Sequence, residues 1–190
     1  MFLHHYFNKK SEPFRSISEL TENEAQKIWQ GMASYLARKN GMEYNFDEID
    51  ERIVNRFGMR RRLEDELRGL FISKGGKVSR DYPYYLILCK DDTPDKALLE
   101  FYENGDYISI PVHDLDMSYV SFTYGDSFAQ YYHSEFNKDN FELVYTYDEI
   151  LDVIDKNGWV SKNENGWGFV EAQLWSDDQV SEYKKANKDV

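Results

Sequence analysis

The amino-acid sequence predicts an α+β fold with N-terminal helices packed on a largely antiparallel sheet. Three observations lead there. Two helical patterns open the chain, over residues 22–38 and 47–72. Short aromatic and β-branched runs dominate from residue 84 onward. A single helical pattern, near residue 150, is inserted among them. That order differs from the strand–helix alternation of a doubly wound sheet. The 190 residues suit one domain, and neither a repeat nor a linker divides them. The expected limits are one α+β domain over 1–175 and a polar C-terminal tail over 176–190.

Residues 2–7 read as a short opening strand, and Pro13 lies in a loop over 11–18. Thr21 and Glu24 form a capping box, with Leu20 and Ala25 spaced as a hydrophobic staple. Ala25, Ile28, Trp29, Met32 and Leu36 then recur at helical spacing, and Asn40-Gly41 stops the helix. In the second helical region Asn45 and Glu48 are a weaker cap pair. Its apolar stripes are Ile49, Ile53 and Phe57, then Leu63, Leu67, Leu70 and Phe71. A break is expected at Gly58 and a stop at Gly75-Gly76.

Residues 84–89 have the aromatic and branched character of a buried strand. Residues 98–102 fit a strand or a short helix. Asn104-Gly105 is a hairpin signal before a strand over 107–112. A strand over 119–124 is closed by Gly125-Asp126, and 130–140 reads as a polar loop. Thr146 and Glu149 form another capping box, ahead of Ile150, Leu151, Val153 and Ile154, and Asn157-Gly158 ends that helix. After a Gly/Asn loop over 163–168, residues 169–175 read as the last strand. Val170, Ala172 and Leu174 face inward there. Glu171 and Gln173 share the other face, which is expected to meet solvent.

Composition narrows the classes. Fifteen Tyr and twelve Phe supply large apolar areas for a core, so general disorder is excluded. The net charge of −12 disfavours nucleic acid and anionic lipid and suits a basic protein partner. The lone Cys89 rules out an internal disulfide and reads as a small buried hydrophobe. The N-terminus lacks the pattern of a signal peptide, and no apolar run approaches the ~20 residues of a membrane span. A cytoplasmic location is therefore expected.

No motif assigns a reaction. His4 and His5 are adjacent, so on a strand they point to opposite faces and cannot chelate one metal together. His113 and His133 stand alone beside turns, and no metal site is expected. Arg60, Arg61 and Arg62 concentrate positive charge, yet Glu64, Asp65 and Glu66 follow at i+4, as on a solvated helix face. Lys74-Gly75-Gly76-Lys77 lacks the spacing of a phosphate loop. Asp126, in a Gly-Asp turn, reads as a cap for local backbone amides.

Several segments together resemble an uncharacterised family of cytoplasmic proteins from Gram-positive, spore-forming bacteria. They are Phe2-Leu3-His4-His5-Tyr6-Phe7, Pro13-Phe14-Arg15-Ser16, residues 70–77, Ser121-Phe122-Thr123-Tyr124-Gly125-Asp126, residues 144–150 and Glu171-Ala172-Gln173-Leu174-Trp175. This resemblance carries no function. A fainter one concerns chain order. A His in an early strand, a Tyr in a middle strand and a Glu in a late strand resembles diphtheria-toxin-type ADP-ribosyltransferases. The resemblance implies that the His and Tyr hold NAD and that the Glu stabilises the developing ribosyl cation. The matching positions are His4 or His5, Tyr85 or Tyr124, and Glu171.

Two functions follow as expectations. The first is a non-catalytic binding or regulatory protein, inhibitor- or immunity-like, without a cofactor, that meets a protein partner through an acidic, Tyr-rich surface. The alternative is an NAD-dependent ADP-ribosyltransferase-like enzyme. Its catalytic residues would be His5, Tyr124 and Glu171, with His4 and Tyr85 on the cofactor.

Overall fold

The computed structural model describes residues 1–41, 51–132, 141–161 and 168–186. The chain is α+β, with an antiparallel five-stranded sheet in the order β3-β1-β2-β5-β4. The strands are β1 (Phe2–Asn8), β2 (Tyr84–Cys89), β3 (Gly105–Pro111), β4 (Val120–Thr123) and β5 (Val170–Leu174). The helices are α1 (Glu22–Lys39), α2 (Glu51–Ser73), α3 (Lys96–Phe101), α4 (Ser127–Tyr132), α5 (Tyr147–Asn157) and α6 (Ser181–Ala186). No described helix is long and apolar enough to cross a membrane.

Capping chemistry places the helices. Thr21 accepts from the Glu24 amide while Glu24 reaches back to the Thr21 amide, so α1 begins where the box predicts. Thr146 and Glu149 do the same for α5. Gly158, at φ +83°, takes the left-handed turn that ends α5. The cap pair Asn45 and Glu48 lies outside the described residues, as do Ile49 and residues 133–140.

Several expectations change, and one open choice is decided. Helix α2 runs through Gly58 without a break, because Phe57 and Leu63 on either side are both anchored in cores. The undecided stretch near residue 98 is helical, since the Asp95 side chain caps Ala97 and starts α3. Asn104 does turn, at φ +57°, yet β3 pairs with β1 and makes no hairpin with the preceding segment. The start of the expected 130–140 loop belongs to α4. The stretch after residue 175 is also pinned: Val180 is fully buried, and Lys184 in α6 donates to the Tyr84 phenol.

The register assigns the two faces of the sheet. Leu3, Leu86, Leu88, Ile110, Phe122, Val170, Ala172 and Leu174 form one apolar face, covered by α5 through Ile150. The opposite face carries His4, Tyr85, Glu171, Gln173, Ser121 and Thr123. It does not meet solvent as expected. Leu63, Leu67 and Phe71 of α2 pack with Trp175 over it, and Glu171 and Gln173 are buried. Helix α2 has enough apolar side chains on one stripe to cover a polar sheet face, and the buried polar groups then need partners.

Candidate functional site

The polar sheet face divides into two parts. One is a closed hydrogen-bond chain. The Trp175 indole donates to Ser121 Oγ (2.8 Å), Ser121 donates to Gln173 Oε1 (2.8 Å), Gln173 donates to Thr123 (3.2 Å), and Thr123 donates to the Leu143 carbonyl (2.8 Å). Every member has a partner, so this part fixes β4 against β5.

The second part is charged. Glu171 Oε2 accepts from the Ser127 amide at 2.7 Å. Arg60 of α2 donates through Nε to Glu64 Oε1 at 3.0 Å and sits with its guanidinium carbon 3.9 Å over the Tyr85 ring. The Glu64 side chain is wholly buried, whereas that of Arg60 keeps 25% of its surface exposed. The buried Tyr85 phenol pairs with the Glu64 carboxylate and Ser127 Oγ with Glu171, although neither pair has ordinary hydrogen-bond geometry.

The electrostatics agree. Burial pushes the Glu171 carboxyl up to about 7, helped by Asp126 and opposed by Arg60 and the Ser127 amide. Burial would lower Arg60, but Tyr85, Glu64 and Glu171 outweigh it and hold the guanidinium charged. Burial, with Glu64 and Glu171 behind it, raises the Tyr85 phenol well above its usual value against the pull of Arg60, so Tyr85 is a donor.

The expected site residues divide between the faces. His4, Tyr85 and Glu171 lie together on the polar face, on the neighbouring strands β1, β2 and β5. In register, His4 pairs with Ile87 and Ile87 with Glu171. Two strand spacings put the backbones of His4 and Glu171 roughly 10 Å apart. A cavity of about 750 Å³ opens beside Ile87, with Tyr6, Cys89, Lys90 and Trp159 in its wall. His4 is fully buried, its Nδ1 3.3 Å from the Tyr6 phenol and its Nε2 3.7 Å from Asp92 without a hydrogen bond. Burial lowers its pKa against the pull of Asp92 and Asp91.

His5 and Tyr124 lie on the other face and do not meet Glu171. His5 donates from Nδ1 to the Tyr85 carbonyl (2.9 Å), accepts at Nε2 from the Phe14 amide (2.8 Å) and stacks on Phe14. Both ring nitrogens are engaged, so His5 is a structural tie. Tyr124 donates to the Gly158 carbonyl and packs on Phe141. Asp126 accepts from the Ala129 amide, as its turn predicts. Burial raises the Cys89 thiol to about 12, helped by Asp91 and Asp95, which makes it a poor nucleophile. His113 is exposed, His133 lies outside the described residues, and no metal-ligating trio forms among the described ones.

Arg60 and Glu64 do not form the solvated pair that their spacing suggests. Their signal was legible as register: residues 57, 60, 64, 67 and 71 follow the 3.6 period, so both lie on the stripe of Phe57, Leu67 and Phe71. Arg61 leaves Asp65 and donates to the Ser18 carbonyl at 2.8 Å. No family model, curated protein or solved structure matches the chain.

Proposed function

We propose that the protein is an NAD-dependent enzyme of the ADP-ribosyl-transfer type with Glu171 as its key carboxylate. The observation that supports it is that His4, Tyr85 and Glu171 lie, in that chain order, on one face of three neighbouring strands. His4 and Tyr85 hold NAD, and ionised Glu171 stabilises positive charge developing at the ribose C1′. The C1′–N bond breaks, and its electron pair leaves on nicotinamide. The acceptor, water or a side chain, supplies the pair for the new bond to C1′. The acceptor's proton passes to Glu171 and then to solvent. A carboxyl near pKa 7 is matched to that proton transfer.

A thermal-shift titration with NAD tests the reading. At 100 times its dissociation constant NAD stabilises the native state by about 2.7 kcal/mol, a shift of several degrees. Tyr85→Ala should lose most of that shift. A wild-type protein unmoved by millimolar NAD would refute the assignment.

Charge favours a second reading, a non-catalytic binding protein for a basic partner. Asp148, Asp152 and Asp155 form an exposed stripe on α5 without an ion-pair partner among the described residues. Capture of a partner that is lost at high salt and on reversing all three charges to Lys would favour this reading. Capture that survives the reversal would remove it.

A further inference from the structure

Away from the polar sheet face, we propose that α1 is the interface of a symmetric dimer, in which two copies of the chain pair their first helices antiparallel. Residues 24, 28, 31, 32, 35 and 39 recur at helical spacing and so share one side of α1. Glu24, Ile28, Gly31 and Lys39 are exposed there, and Met32 and Tyr35 are half-buried. Ile28 keeps 37% of its surface in water. Among the described residues no hydrophobic core includes Ile28, Met32 or Tyr35. The helix is buried in its own chain through Ala25, Ser34 and Ala37 instead.

The pattern of this side fits a second copy. Laid on itself about a two-fold axis between Gly31 and Met32, it sets Glu24 against Lys39, Ile28 against Tyr35 and Gly31 against Met32. A carboxylate meets an ammonium, an aliphatic side chain meets an aromatic ring, and a long side chain meets a glycine, each contact made twice. A Cβ at Gly31 would meet nothing within 4 Å in its own chain, so the glycine leaves room for Met32 of the other copy. Charge selects the same helix. The chain carries −12, so two copies repel over most of their surface, whereas α1 has three basic and two acidic side chains. The end residues are also held in place before a partner arrives. Thr21 engages Glu24 through Oε2, and Glu100 of α3 accepts from Lys39 Nζ at 3.0 Å and from the Tyr35 hydroxyl at 3.2 Å.

The stripe is about 22 Å long, which lies at the small end of specific interfaces and makes the dimer a weak one. Sedimentation equilibrium of the full chain should find wild type largely dimeric at ~100 μM. Ile28→Lys should raise the dissociation constant at least about ten-fold and leave the melting temperature of the monomer unchanged. Cross-linking in a Cys89→Ala background reads the register. Residue 32 of one copy lies about 1.5 Å along the helix axis from residue 32 of the other, so Met32→Cys should oxidise to a covalent dimer. Residue 28 lies about 10 Å along the axis from its counterpart, beyond the reach of a disulfide. Ile28→Cys alone should therefore stay uncross-linked, and Ile28→Cys combined with Tyr35→Cys should link. A monomeric wild type would overturn the proposal, as would an Ile28→Lys variant that dimerises like wild type. Failure of Met32→Cys to link, or linking of Ile28→Cys as readily as Met32→Cys, would overturn it equally.

Discussion

Arg60 lies 3.9 Å over the ring of Tyr85 and joins α2 to β2 beside the buried carboxylates Glu64 and Glu171. The same guanidinium neutralises Glu64, whose side chain is wholly buried. Removal of one partner leaves a buried charge alone, whereas removal of both does not. Glu64→Leu is therefore expected to cost about 3 kcal/mol in urea unfolding. Arg60→Met combined with Glu64→Leu should recover most of that loss. An additive double variant would show that the pair does not act as a unit.

Glu171 should make stability fall as pH rises. Its folded pKa of about 7 stands above the usual 4.5, so between those values the native state holds more protons than the unfolded state. Its stabilising share is complete below pH 4.5 and is lost on passing through pH 7. The difference amounts to about 3 kcal/mol. Glu171→Gln should remove this slope. Relative to wild type, the Gln variant gains about 3 kcal/mol between pH 4.5 and pH 8. A constant difference between the two proteins would place Glu171 in water.

His5 has the opposite sign. Burial lowers its pKa from 6.5 to about 4, against the hydrogen bond to Tyr85 and with a small contribution from Lys184. The unfolded state therefore binds the extra proton between pH 4 and 6.5, and the stability from neutral His5 fades as pH falls through that window. Nitrogen NMR should find the Nδ1–H tautomer, with protonation only near pH 4. A ring that titrates near 6.5 would contradict the buried tie between β1, β2 and Phe14.

The fold was legible where local chemistry decides it. Capping boxes at Thr21 and Thr146 and the alternation of Val170, Ala172 and Leu174 placed α1, α5 and β5. What covers the far face of β5 was not legible, because alternation tells inside from outside only when one face is wet. Here α2 buries the second face as well, so Glu171 and Gln173 look like surface residues in the sequence and are interior ones in the fold. The choice between His4 and His5 likewise turned on register with β2, a contact some 80 residues away.

Gly105 tests the β1–β3 edge independently of the site. A Cβ there would sit 2.1 Å from the Leu99 carbonyl oxygen, which belongs to the backbone of α3 and cannot rotate aside. Gly105→Ala should cost at least about 2 kcal/mol and loosen α3, which shows as faster amide exchange at Leu98 and Leu99. Unchanged stability would mean that α3 does not press on the start of β3.

The most direct test of Glu171 is release of nicotinamide from NAD, followed by chromatography, with wild type beside Glu171→Gln at pH 8. Gln keeps the size and the acceptor for the Ser127 amide but cannot carry charge or take a proton. Steady release by wild type, reduced at least 100-fold in Glu171→Gln while NAD still shifts the melting temperature of both, is the expected result. Equal release by the two proteins, or none by wild type, would contradict a catalytic Glu171.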